Sequence, residues 1–203
     1  MDSVVSLGVF EALLAQARAL APRDHWLAEQ IGTTALQIVD RLPDADFPQE
    51  VKGELRAAAL VQIASSQRFQ CNWAKTKESL VDARREHSDS RSRTFAEIVS
   101  LEGVLEYDLG NLRSAQERMD TALGIYTNLH DERGVVFAHL QLSDLYVFEP
   151  EKKVFHAKLA LATNRGYGQI PGEQSTSARP VEDSVGQSYR CDGKADCNRS
   201  SYR

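Results

Sequence analysis

The stretch LEYDLGNLRSAQERMDTALGIY, residues 105–126, contains a glycine–asparagine break followed by small and large apolar residues at regular steps. Gly110 suits a tight connection between helices, because glycine adopts backbone conformations that other residues avoid. Ala115, Met119 and Ala122 follow at spacings of four and three, which place them on one face of a helix. The stretch therefore predicts a helix, a sharp turn and a second helix with one apolar face.

The same pattern recurs along the chain in steps of 39 and 40 residues. Small residues that let two helices approach closely repeat in one column, and large apolar residues repeat in another. A period of about 40 residues with two helices in each unit indicates a helical solenoid. The four columns are Cys71, Gly110 and Pro150 at the breaks; Ala64, Gly103 and Ser143; Leu80, Met119 and Leu159; and Ala83, Ala122 and Ala162.

The distribution of proline extends this reading to most of the chain. The sequence has six prolines, and none lies between residues 49 and 149. Proline interrupts helices because it lacks an amide donor and clashes with the preceding turn. We find no convincing strand pattern, so we predict an all-α fold of eight helices, at 6–20, 24–41, 49–69, 72–86, 94–108, 112–128, 132–147 and 150–164.

The composition changes after about Asn164, where glycine, serine and charged residues dominate. Such a segment buries too little apolar surface to offset the entropy of ordering its chain. We therefore divide the sequence into a helical-repeat domain, 1–165, and a C-terminal tail, 166–203, that is disordered or non-native.

Charge and hydropathy argue against two classes of protein. The formal net charge is −5, whereas nucleic-acid binders usually present a basic face. No apolar run approaches the length of a membrane span, and the first residues lack the basic start of a signal peptide. We expect a cytoplasmic protein that binds neither nucleic acid nor a membrane.

The residues of 96–129 resemble a unit of the tetratricopeptide repeat family. Gly103 stands at the small position of the first helix, LGNL at 109–112 matches the turn, and Ala115, Met119 and Ala122 match the second helix. GVVFAHLQLSDLY, residues 134–146, resembles the first helix of the next unit. The 40-residue spacing is similar to the longer variant found in many bacterial regulators.

The resemblance covers roughly 10–165, is strongest over 96–146, and implies a right-handed α-solenoid of three to four antiparallel helix pairs. Farther upstream, Leu14, Ala17 and Pro22 resemble the end of a unit, and Gly32 falls at the next small position.

The resemblance also implies a binding surface, because such proteins usually hold a peptide or a helix in the concave groove lined by the first helices. Of the residues that it places in the groove, Arg68, Tyr107 and Asp144 are the leading candidates, because none is an obvious core residue. The competing reading is that such side chains only pack between helices or meet water. The other positions carried over are Glu97, Ser100, Val104 and Asp108 in one unit, Phe137, Leu140, Val147 and Phe148 in the next, and Ala58, Val61, Ser65 and Phe69 in the preceding one.

Motifs for catalysis are missing from the sequence. It has no glycine-rich phosphate loop, no HExxH and no GxSxG. CDGKADC, residues 191–197, lacks the second ligand pair that a zinc site needs. We therefore expect no enzyme activity, no metal and no cofactor.

Three functions stay open at this point. The first is an interaction module that binds a peptide or partner protein in the groove. The second is a sensor or dimerisation arm of a larger bacterial signalling or transcriptional regulator whose effector domain lies outside this chain; it would form a homodimer through a terminal helix. The third is an enzyme with an unfamiliar site.

Overall fold

The computed structural model describes residues 2–87, 89–146 and 148–167, and the side chains of 7–87, 89–146 and 148–164. These residues form eight α-helices and no strand, which confirms the predicted all-α class and the position of every predicted helix. The predicted tail, 166–203, lies outside the described residues except for its first two, which continue the last helix. The helices are α1 (Asp2–Leu20), α2 (His25–Asp40), α3 (Gln49–Phe69), α4 (Trp73–Glu86), α5 (Arg93–Asp108), α6 (Leu112–Asn128), α7 (Glu132–Leu145) and α8 (Pro150–Tyr167).

Three connections use the same backbone geometry. Cys71, Gly110 and His130 have positive φ angles of 56°, 83° and 53°, and each ends a helix. In each case the amide of the following residue bonds to the carbonyl five residues back, over 2.8 to 3.0 Å. This pattern closes the free carbonyls of a helix end and reverses the chain.

The residue after each left-handed position then starts the next helix. The Asn72 side chain accepts a hydrogen bond from the Lys75 amide at 3.3 Å, and the Asp131 side chain accepts one from the Gly134 amide at 3.1 Å. Asparagine and aspartate are preferred here because their short side chains satisfy an amide of the first turn. At Cys71 and His130, a left-handed residue followed by a capping side chain therefore explains how the turn stays so short, whereas the Asn111 side chain donates to Glu106 instead.

Each hydrophobic core lies between three consecutive helices. One joins α1, α2 and α3, a second joins α3, α4 and α5, and a third joins α5, α6 and α7. Helix α5 serves two cores at once, with Ile98 and Leu105 in one and Val99 and Val104 in the other. Because α3 and α5 are each shared, the cores are linked through common helices.

Contacts between helices follow the same order. Each helix touches the next one in the chain, and α1, α3, α5 and α7 also touch in succession. The contact of α1 with α3 differs from the expectation that residues 14–24 form the second helix of a unit. Helix α1 instead joins the row of odd-numbered helices, and this row forms the surface that carries the candidate site.

The column of small residues is buried as predicted. Ala64, Gly103 and Ser143 are each shielded from solvent. A Cβ atom on Gly103 would lie 3.0 Å from Met119 Cε and 3.2 Å from the Ala115 carbonyl oxygen. These distances are tighter than ordinary packing, so glycine is what allows α5 to approach α6 so closely.

The predicted register of the last helix is wrong. Met119 and Ala122 are buried in α6, but Leu159 is only half-buried and Ala162 is exposed. Ala160 is the buried alanine of α8. The helix is therefore rotated away from the repeat register, because other residues of α8 make its contacts with α7.

Candidate functional site

A cavity of about 400 Å³ opens along the row of odd-numbered helices. Its walls come from α3, α5 and α7, with Arg18 of α1 at one edge and Tyr126 of α6 at the base. Gly134 in the first turn of α7 makes room for the Tyr126 ring, since a Cβ there would lie 2.1 Å from Tyr126 Cδ1. The site therefore exists where three helices of one row meet.

Five of the predicted groove residues meet in this cavity. Glu97 and Ser100 of α5 and Phe137 of α7 line it, together with Val61 and Ser65 of α3. They come from three helices that the 40-residue period relates to one another. The resemblance to a repeat family therefore led to residues that share one cavity.

Arg68 and Asp108, also predicted for the groove, bind each other outside the cavity. Arg68 Nε donates to Asp108 Oδ2 at 2.5 Å, and Arg68 Nη2 donates to Asp108 Oδ1 at 3.3 Å. The two side chains are only 18% and 12% exposed. This two-bonded pair joins α3 to α5 and offsets both charges, so neither residue presents an unpaired charge to a ligand.

The other predicted residues that the structure describes lie outside the cavity lining, and the predicted Val147 lies outside the described residues. Tyr107 and Leu140 are half-buried. Asp144 is exposed as a residue, yet neighbouring atoms desolvate its carboxyl and raise its pKa, an effect that Lys153 partly offsets. The structure thus gathers Glu97, Ser100 and Phe137 at the cavity but leaves all three leading candidates, Arg68, Tyr107 and Asp144, away from it.

Charged groups cluster at one edge of the cavity. Arg93 Nε lies 3.3 Å from Glu97 Oε1 and 3.1 Å from Asp131 Oδ2, while Arg18 Nη2 lies 3.5 Å from Glu97 Oε2. Asp131 Oδ2 is fully buried, and its ion pair with Arg93 does not have hydrogen-bond geometry. This edge therefore combines a partly exposed arginine, Arg18, with a carboxylate oxygen that is closed off from solvent.

Polar groups also face the cavity from its floor. Gln62 is buried, and its side-chain amide makes no hydrogen bond within the described part of the chain. The Ser100 hydroxyl donates to the Tyr126 hydroxyl at 3.3 Å. Burial is the main cause that raises the pKa of Tyr126, so its hydroxyl stays protonated at neutral pH.

Sequence reasoning missed several of these residues. Gln62, Arg93, Tyr126 and Asp131 carry no motif, and Arg18 was assigned to the end of a repeat. One local signal was available: Asp131 precedes a helix at the capping position. The others could be placed only by knowing how the helices cross.

A second charged cluster lies between the helix pairs and serves packing. Glu102 of α5 bonds to Arg84 of α4 and to Arg118 of α6. The Arg84 guanidinium also lies 4.9 Å from the centre of the Phe95 ring. The Glu102 side chain is largely buried while both arginines are partly exposed, so the cluster ties three helices together at the edge of the core.

Metal and membrane sites were sought in the described residues. Among them, no group of three or more His, Cys, Asp or Glu side chains is arranged to hold a metal ion. No helix in the same residues has the length and apolar character needed to cross a membrane.

The comparisons with known proteins return no relative. No protein-family model matches the chain, and neither a curated protein nor a solved structure gives a significant match.

Proposed function

We propose that this chain is a protein-interaction module built as a tetratricopeptide-like, right-handed α-solenoid of antiparallel helix pairs. The successive contacts of α1, α3, α5 and α7 support this architecture. The repeated turns at Cys71 and Gly110 and the buried small column support it as well. In this arrangement the odd-numbered helices line the concave side.

The cavity on that side is the observation that carries the proposed function. It combines apolar walls from Val61, Leu101 and Phe137 with the unbonded amide of Gln62 and the ion pair of Arg18 with Glu97. Sites that bind peptides pair an apolar pocket with a few polar groups that fix orientation. The ligand is therefore an extended peptide that inserts one apolar side chain and aligns its main chain with these polar groups.

A second candidate function is the dimerisation arm of a larger regulator. It is favoured by the outer side of α8, where Val154, Phe155 and Leu161 are half or more exposed. Helix α8 is the last helix of the described chain, so this side is where a further helix would pack in a solenoid. No enzyme activity or cofactor is part of either proposal.

The two candidates separate in one experiment with matched variants. Phe137→Ala removes an exposed phenylalanine at the cavity, and Phe155→Ala removes an exposed phenylalanine on α8. The full chain is screened against a displayed library of random linear peptides, and the affinity of each enriched peptide is measured by fluorescence anisotropy. We expect Phe137→Ala to weaken binding about tenfold or more, as loss of a pocket contact does, and Phe155→Ala to leave it unchanged.

A third variant distinguishes a blocked cavity from a lost contact. Ser65→Trp places a large side chain at the half-buried cavity wall, and we expect it to abolish binding while circular dichroism stays unchanged. Enriched peptides that bind all three variants equally, or a library from which nothing is enriched, would contradict the groove proposal. A chain that self-associates in sedimentation and loses this with Phe155→Ala would favour the dimerisation arm.

A further inference from the structure

Two histidines join the last two helices. His139 of α7 and His156 of α8 approach with their Nδ1 atoms 3.0 Å apart. His139 is buried and His156 is half-buried. A neutral imidazole has one nitrogen that donates and one that accepts, so this contact is a hydrogen bond only when one Nδ1 carries a proton and the other does not.

The surroundings hold the two rings in this position. The Tyr146 ring stacks on His156 with centroids 5.3 Å apart and an angle of 10°, and Phe155 meets His156 edge-on at 5.3 Å. One further bond joins the helices nearby, from the Ser143 hydroxyl to the Lys153 carbonyl at 3.2 Å. Since Leu159 and Ala162 do not fill the positions that the repeat assigns to them, the histidine contact takes a larger share in holding α8.

Charged groups on the neighbouring helices shift the pKa values of the two histidines in opposite directions. Burial lowers the pKa of both rings, and the proximity of His156 lowers that of His139 further. From α6, Asp120 raises the pKa of His156, whereas Lys152 on α8 lowers it. Lys152 in turn lies 2.6 Å from Glu149 and 5.0 Å from the Tyr146 ring.

We propose that the His139–His156 contact is an acid-sensitive latch, meaning a hydrogen bond that holds α8 on α7 while at least one ring is neutral and that opens when both rings are protonated. One proton is tolerated, because an imidazolium Nδ1 donates to a neutral partner. A second proton leaves two donors and two positive charges facing each other, and the contact is lost.

The direction of the pH dependence follows from linkage. A histidine whose pKa is lower in the folded state binds fewer protons there than in the unfolded chain. The stability of the α8 contact is therefore complete above the ordinary histidine pKa of about 6.5 and falls as the pH drops toward the lowered folded values. Acid therefore weakens the contact between α7 and α8.

Hydrogen exchange of the full chain at pH 7.5 and pH 5.0, corrected for the intrinsic pH dependence of exchange, tests the latch. We expect protection of α8 amides to fall roughly fivefold more than that of α5 amides, the change in opening equilibrium that losing one ordinary hydrogen bond produces. His139→Asn keeps a side-chain group near the Nδ1 position that both donates and accepts but does not titrate, so its α8 protection should depend on pH less than that of the original chain, through His156 alone. His130→Asn is the control, because His130 is exposed and asparagine tolerates its positive φ.

An NMR titration of the histidine rings in the unmodified chain provides the second readout. We expect His139 and His156 to titrate below the ordinary histidine pKa of about 6.5. The proposal is overturned if both rings titrate at or above the ordinary histidine pKa of about 6.5, or if α8 and α5 lose protection equally. It is also overturned if His139→Asn retains the acid response of the original chain.

Discussion

The α5–α6 pair and the α7–α8 pair stand one repeat apart, yet their second helices pack differently. In the first pair, Met119 and Ala122 are buried against α5, where Gly103 lets the helices approach. In the second pair, Leu159 and Ala162 stay partly or fully exposed, and a histidine contact lies between the helices instead. Helix α6 is covered on its far side by α7, whereas α8 ends the described chain. A repeat register is therefore enforced where a helix has neighbours on two sides.

The largest expected difference concerns the column of large apolar residues. Met119→Ala should lower the free energy of unfolding by about 2–5 kcal/mol, because it opens a cavity in a closed core. Leu159→Ala should cost less than about 1.5 kcal/mol, because that side chain is only partly buried. Urea unfolding followed by circular dichroism measures both, and equal losses would show that α8 packs as tightly as α6.

The next largest difference concerns the alanine column, where the substitution enlarges the side chain instead of shortening it. Ala122→Leu should destabilise the fold by about 1–3 kcal/mol, because a fully buried alanine leaves no room for added methylenes. Ala162→Leu at the exposed equivalent should stay within about 0.5 kcal/mol of the original chain. Thermal unfolding compares the two, and a large loss from Ala162→Leu would restore the predicted register of α8.

The smallest expected difference is between the coupling energies of two ion pairs. A double-mutant cycle of Arg68→Ala and Asp108→Ala should give a coupling of about 1 kcal/mol, since the pair is two-bonded and mostly shielded. The same cycle on Glu149 and Lys152, next to α8, should give a much weaker coupling that added salt removes, because both side chains are half exposed. A stronger coupling at Glu149 and Lys152 than at Arg68 and Asp108 would contradict this contrast.

Local signals in the sequence determined most of the secondary structure. Proline positions, capping residues and apolar spacings of three and four act within one or two helical turns, so eight helices could be placed without a tertiary structure. The small column followed from the 40-residue period, and the cavity residues Glu97, Ser100 and Phe137 followed from the resemblance to the repeat family. These features depend on residues close together in the sequence or on a spacing that recurs along the chain.

Tertiary structure alone decided which distant side chains meet. The pairing of Arg68 with Asp108, the cluster of Arg18, Arg93, Glu97 and Asp131, and the rotation of α8 each depend on the angle and offset between helices. A change of a few ångströms in that offset exchanges one partner for another, and no local pattern encodes it. The sequence therefore determined the helices and the small column, whereas the packing of helix on helix decided the side-chain pairs, the cavity and the His139–His156 contact.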